Sequence, residues 1–260
     1  MLVNGGTKGM GRAAAETMAA EGARVAVLAR TKADLDETAK VLRRRGAEDV
    51  MGLPADITDG AQVTAAFARL GGQWGALNAL VNATGPVGLG VGGFAEVDDE
   101  EWLGTFDVGV LGAVRCVRAA LPLLRRASWA RIVNVSAHST RRQSPDLIAY
   151  TAAKAALTSL SKNLARTLAP ERILVNTVSP GSILSAGLRD YLAALPPERG
   201  VQPGNLRDAM RVIEEDFGHP AWLGRAGDPV EVGSVIAFLG SRCNSYMTGA
   251  DVNVDGGSDF

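Results

Sequence analysis

The chain has 260 residues, 47% of them hydrophobic, with 27 lysines and arginines against 28 aspartates and glutamates and a formal net charge of −1. That balance excludes a nucleic-acid partner, which would need a basic surplus, and no apolar run reaches membrane-spanning length. Cys116 and Cys243 lie far apart without metal spacing, and MLVNGGTKG is no signal peptide, so a soluble cytoplasmic protein with reduced thiols and no metal is expected.

Short apolar runs alternate with helical patterns. LVNG (2–5) reads as a strand stub, followed by a helix from about Gly11 to Glu21. ARVAVLA (23–29) is a buried strand, and KADLDETAKVLRRRG (32–46) is a helix closed by Gly46 as its C-cap. DVMGLPAD (49–56) forms a third strand, DGAQVTAAFARLGG (59–72) a helix and LNALVNA (77–83) a fourth strand. A long helix is expected from about Asp98 to Arg126, then a strand in ARIVNVSA (130–137), a helix through AYTAAKAAL (149–157) and a strand in RILVNTVSP (172–180). DPVEVGSVIAFLGS (228–241) is a late helix and GADVNVDGG (249–257) a closing edge strand.

Strands without polar alternation, each followed by a helix, indicate an α/β fold with a parallel sheet covered on both faces. Ligands then bind beyond the carboxyl ends of the strands, where the strand order reverses. Residues 186–225 interrupt this rhythm with two proline-containing breaks, LPPERG and FGHP, and are expected to form a lid or substrate loop.

LVNGGTKGMGR places Gly5, Gly9 and Gly11 directly after a strand and at the opening of a helix. Glycines there let the backbone approach a pyrophosphate, and the helix N-terminus supplies free N–H groups and a positive dipole end. GLGVGG (88–93) matches the G-x-G-x-x-G spacing more closely, but it trails its strand by several residues and reads as a flexible loop. At the end of the second strand an acidic residue would accept from a ribose 2′-hydroxyl. Here Ala29 is followed by Arg30, and Lys8 sits inside the glycine turn. A cation pair suits a 2′-phosphate, so NADP(H) is favoured, with NAD(H) possible. Asp56 in PADIT could accept from an adenine amino group or cap the next helix, although Thr58 and Asp59 are better placed to cap. The small residues of VNATG (81–85) would let an adenosine ribose lie against backbone.

Tyr150 and Lys154 stand four residues apart and so share a helix face. Alone, that pair fits either a solvated surface helix or a proton donor beside an ammonium.

The glycine turn, PADIT, VNATG, YTAAK, VSPGSILS and TGADVNVDGG, in this order, resemble the short-chain dehydrogenase/reductase family along essentially the whole chain. The resemblance implies one Rossmann-like, doubly wound domain over residues 1–260, with a seven-stranded parallel sheet flanked by helices and 186–225 as an inserted substrate loop. It implies hydride transfer between a nicotinamide and a small-molecule ketone or secondary alcohol, as in 3-oxoacyl-type and other carbonyl reductases, and a homo-oligomer, dimer or tetramer. Tyr150 would be the general acid in reduction and the base in oxidation. A free phenol near pKa 10 is a poor base at neutrality. Lys154 and an oxidised nicotinamide would lower that pKa, and Lys154 would also hold the nicotinamide ribose. The remaining cofactor contacts implied are Gly5, Thr7, Lys8, Gly9, Met10 and Gly11 in the first turn, Arg30, Asp56 and Ile57, Asn82 and Ala83, and Pro180, Gly181, Ile183 and Ser185.

Three positions depart from the family pattern. The usual catalytic serine is replaced by Ala137. Ser136 points to the opposite strand face, which leaves Ser139 as the favoured substitute and His138 as the other nearby donor. Losing such a donor outright would cost roughly 3 kcal/mol of transition-state stabilisation. Gly109 stands where relatives carry an asparagine at a helix kink, and Asn4 replaces a threonine ahead of the first glycine. Ala137 and Gly109 motivate a rival reading, a cofactor-binding redox sensor or scaffold with little or no catalysis. Leu184, Leu188 and Leu192 are expected to form an apolar substrate wall.

Overall fold

The computed structural model describes residues 1–86, 88, 90 and 92–258. Strands β1 (Leu2–Asn4), β2 (Arg24–Ala29), β3 (Asp49–Pro54), β4 (Ala79–Asn82), β5 (Ala130–Val135), β6 (Ile173–Pro180) and β7 (Asp251–Val254) form one parallel sheet. Their spatial order is β3-β2-β1-β4-β5-β6-β7. The order reverses between β1 and β4, so a crevice opens at their carboxyl ends.

Neighbouring strand residues face opposite sides of the sheet, and both sides are covered. Leu2, Leu28 and Ile132 pack with Phe67 and Leu70 of helix α3 (Gly60–Trp74) and Val117 and Leu123 of α5 (Gly112–Leu124). Their neighbours Val3, Val27 and Val133 pack against α1 (Gly9–Ala20), α2 (Lys32–Arg45) and α9 (Pro229–Leu239) through Met18, Leu42 and Ile236. Apolar residues at consecutive strand positions are therefore what a two-sided cover requires. Helix ends follow the local chemistry: Gly46 closes α2 at φ 108°, and the Asp59 carboxylate caps α3 by accepting from the N–H groups of Ala61 and Gln62.

The single helix expected over Asp98–Arg126 is instead α4 (Asp99–Phe106), a π-helical turn over Asp107–Leu111, and α5. The Gly112 N–H reaches back five residues to the Asp107 carbonyl. Gly109 lowers the cost of leaving α geometry here. Its missing Cβ would lie 3.2 Å from the Cβ of Ala153 on α6 (Ile148–Leu168).

Residues 186–225 hold α7 (Ala186–Ala193), a short 3-10 turn at Pro197–Arg199 and α8 (Leu206–Phe217). They enclose a small core of their own, with Leu184, Leu192, Met210 and Ile213 buried together and Leu188 packed against them. This corrects the expected substrate wall: Leu184 and Leu192 point into that core. Among the described residues no helix is long and apolar enough to cross a membrane. Leu89 and Val91 of the second glycine-rich stretch lie outside the described residues, as does Val87.

Candidate active site

The chain leaves β1 through Gly5 at φ 76° and enters α1 through Gly9 at φ 54°, both in the left-handed region that favours glycine. A Cβ on Gly5 would sit 2.7 Å from the Thr84 hydroxyl, and one on Gly11 would run into the Gly5 carbonyl. The turn can therefore press directly against the end of β4. Lys8, at the N-cap of α1, makes no side-chain cap, and the first turn holds no acidic residue, so its N–H groups and dipole favour an anion.

Beside this turn lies a cavity of about 520 Å³. Of the residues named from sequence, Gly5, Thr7, Lys8, Arg30, Asp56 and Ile57 line it. Thr84 and Gly85 of the small-residue run VNATG line it too, as do Thr31, Asp34 and Pro86, which were not singled out. Lys8 is not free: its Nζ lies 3.2 Å from Asp34 Oδ2 at the start of α2. Asp56 Oδ1 accepts from the Thr58 N–H at 2.9 Å and the Thr58 hydroxyl at 2.8 Å. Those bonds hold its carboxyl below the usual carboxylate range, with Arg30 adding to the effect. The capping role belongs to Asp59.

Asn82 and Ala83 do not line this cavity. Asn82 is buried in a ladder of amides: it donates to Asn134 Oδ1 at 2.8 Å and lies 3.5 Å from the Asn4 amide nitrogen. Asn134 donates in turn to the Ser161 hydroxyl at 2.8 Å, and Thr84 donates to Asn4 Oδ1 at 2.7 Å. The Asn4 side chain thus ties β1 to the end of β4. Ala83 packs beside Gly11, and Met10 against the apolar cluster under α1. The cleft is met two residues later, by Thr84 and Gly85.

Lys154 is 3% exposed and donates to the Val135 carbonyl at 2.8 Å. A Cβ on Gly85 would lie 3.3 Å from its Nζ, so the lysine reaches from α6 to the wall of the cavity. Burial brings the ammonium down to about 8, still charged at neutrality. Its Nζ is 5.8 Å from the Tyr150 ring centroid. Tyr150 is half-buried, and desolvation pushes its phenol up to about 12. Within the chain itself the lysine does not offset this desolvation, and the lowering expected of Lys154 acting together with an oxidised nicotinamide concerns the cofactor-bound site. The ammonium is drawn to the Val135 carbonyl, and burial prevails.

Ser139 lies on the 3-10 turn His138–Thr140, 5% exposed, and accepts from the Thr151 hydroxyl at 3.2 Å. Thr151 follows Tyr150 directly, so the two segments that carry the candidate residues are bonded together. Ser136 faces the other way, as the pleat requires: its hydroxyl donates to the Lys154 carbonyl at 3.1 Å and pairs with Thr158. Ala137 is extended and buried. His138 Nδ1 lies 3.1 Å from the Pro180 carbonyl, and its ring stands edge-on to that of His219, 6.2 Å between centroids.

Beyond β6, Gly181 is required by packing, because a Cβ would lie 2.6 Å from Asp255 Cα. Ile183 is buried and bridges to Gly227. The Ser185 hydroxyl caps α7, accepting from the Leu188 N–H at 3.3 Å. Pro180, Gly181, Ile183 and Ser185 all lie outside the cavity, and Ser185's hydroxyl serves helix capping rather than an open contact. Among the described residues no group of three or more His, Cys, Asp or Glu side chains could hold a metal ion.

Residues 1–194 match the family described as short chain dehydrogenase, and 201–259 match the one described as enoyl-(acyl carrier protein) reductase. A 3-alpha-(or 20-beta)-hydroxysteroid dehydrogenase of Mycobacterium tuberculosis is 32% identical over 99% of this chain and 88% of its own length. The NADPH-bound structure of a short chain oxidoreductase from Pseudomonas aeruginosa, described as containing an atypical catalytic center, superposes with a TM-score of 0.86 at 29% identity, covering 98% of this chain and 95% of the other. L-sorbose reductase of Gluconobacter frateurii, complexed with NADPH and L-sorbose, superposes with a TM-score of 0.90 at 27% identity, covering 99% and 95%. The seven-stranded parallel sheet, the glycine turn against β4 and the paired Tyr150 and Lys154 agree with these matches: the chain belongs to the short-chain dehydrogenase/reductase family and is an oxidoreductase acting on alcohol and carbonyl groups.

Proposed function

We propose that this enzyme is an NADP(H)-dependent carbonyl reductase. When bound, the nicotinamide dinucleotide supplies or accepts the hydride. The residues fit such a group: Gly5 and Gly11 leave no room for side chains, the first N–H groups of α1 carry no cap, and Arg30 faces the same cavity as Lys8. Arg30 and Lys8 would hold a 2′-phosphate, Asp56 the adenine amino group, and Lys154 the nicotinamide ribose. NADPH in the Pseudomonas and Gluconobacter relatives supports the choice of cofactor.

One observation carries the reading: a phenol kept protonated by burial stands one helical turn from a charged lysine that reaches the cavity wall. Tyr150 then donates its proton to the carbonyl oxygen of the substrate. A developing alkoxide is a stronger base than a phenolate, so the transfer runs downhill. The Lys154 ammonium stabilises the phenolate left behind. Ser139, which accepts from Thr151 and keeps its own proton to give, is the substitute donor to the substrate oxygen. Residues 186–225 act as the substrate lid, since His219 meets His138 beside the catalytic turn and Arg142 donates to the Gly218 carbonyl at 3.1 Å. Exposed Ala155 and Ser159 leave a small-residue face on α6 for a second copy in a homo-oligomer.

Purified protein incubated with NADPH and a panel of ketones should oxidise the cofactor. Tyr150→Phe should lower kcat by about 10²- to 10⁴-fold while NADPH binding is retained. NADPH binding without turnover of any carbonyl would refute catalysis and favour the sensor reading that Ala137 motivates.

A further inference from the structure

We propose that Asp34 is a specificity-determining residue that restrains affinity for a 2′-phosphate and so keeps the site open to dinucleotides lacking one. The inference rests on the NADP(H) reading above. Lys8, Arg30 and Asp34 line one cavity, and the Lys8 ammonium is already engaged by Asp34 at 3.2 Å. Arg30 makes no ion pair among the described residues. Of the two cations that favour a phosphate, one is thus outside any ion pair, with its charge felt by Asp56, and one is held by a carboxylate on the same wall.

A phosphate monoester carries nearly two negative charges at neutrality. To use Lys8 it must displace Asp34, then remain near that carboxylate. A 2′-hydroxyl meets neither obstacle and can donate to Asp34 directly. The Lys8 and Asp34 side chains are 71% and 34% exposed, so their attraction is modest, screened by salt, and open to competition by a bound anion. The cavity's other carboxylate, Asp56, accepts from the Thr58 N–H and hydroxyl and acts on Arg30 rather than Lys8, while along α2 Asp36 pairs with Lys32 at 2.6 Å and Glu37 with Arg12 at 3.6 Å. The opposition to a phosphate at Lys8 therefore falls on Asp34, and α2 keeps its remaining ion pairs when Asp34 is replaced.

The test uses ligands that cannot react. Adenosine 2′,5′-bisphosphate and adenosine 5′-monophosphate are titrated calorimetrically into the full-length protein and into Asp34→Asn. The substitution should tighten the bisphosphate about three- to tenfold, leave the monophosphate within about twofold, and lose its effect as salt rises. An equal change for both ligands, or no change for either while the native protein prefers the bisphosphate, overturns the role of Asp34 and leaves the cofactor reading standing. A native protein indifferent to the 2′-phosphate refutes the cofactor reading. In that case a preference created by Asp34→Asn still supports the restraint, and continued indifference ends both.

Discussion

Replacing Lys154 by methionine should make the folded protein more stable while abolishing its chemistry. The ammonium is almost fully buried, with one carbonyl partner at 2.8 Å, and burial brings it from 10.5 to about 8. At about 1.4 kcal/mol per pH unit, the native state bears roughly 3 kcal/mol for keeping this proton below pH 8. Methionine keeps the apolar stem and removes the charge, but it forfeits a hydrogen bond worth about 1 kcal/mol. The net gain is about 2 kcal/mol, or roughly 4–8 °C in Tm for a chain of this size. The sign with pH follows from proton counts. The unfolded chain holds this proton up to about 10.5 and the folded chain only to about 8, so between those values the unfolded state binds more protons. Native stability from this group therefore rises with pH across that window, and the advantage of Lys154→Met shrinks as it does. Urea unfolding of both proteins from about pH 7 to about pH 10 measures this directly. A variant no more stable than the native protein at neutrality, or an advantage independent of pH, would refute the reasoning.

Ser139→Ala should lower kcat/KM about a hundredfold, whereas Ala137→Ser should change it by about threefold or less. A large gain from Ala137→Ser in steady-state assays would mean that no other group fills the donor role. Asn134→Ala should destabilise by about 2–4 kcal/mol in urea titrations, because it strands the Asn82 amide N–H in a dry interior and removes the bond that the Ser161 hydroxyl accepts, leaving that hydroxyl only its own bond to the Leu157 carbonyl. A nearly neutral result would show that water replaces the missing amide.

The sheet and the glycine turn were legible because strand–helix alternation and glycine position are local signals. Pairing across space was not. Asp34 reads as an ordinary first-turn acidic residue of α2, and only the fold brings it to Lys8. The run VNATG was legible as a wall of the cleft, but which of its residues meet the cavity depends on where the strand stops. Leu184 and Leu192 form an apolar stripe that a pocket wall and a local core would write identically. The tyrosine pKa depends on burial, which spacing does not encode, and a π turn differs from an α turn by one residue in a run that suits both.

The amide ladder has a consequence for assembly of the sheet. Asn4, Asn82 and Asn134 are direct partners across β1, β4 and β5, all placed where the side chains meet. A slip of any one of these strands by a single position would turn its amide to the opposite, greasy side and leave its neighbours' polar atoms dry. Three asparagines thus work as a register key, selecting against mis-threaded pairings during folding and setting the height at which the strand ends halt to form the floor of the catalytic crevice.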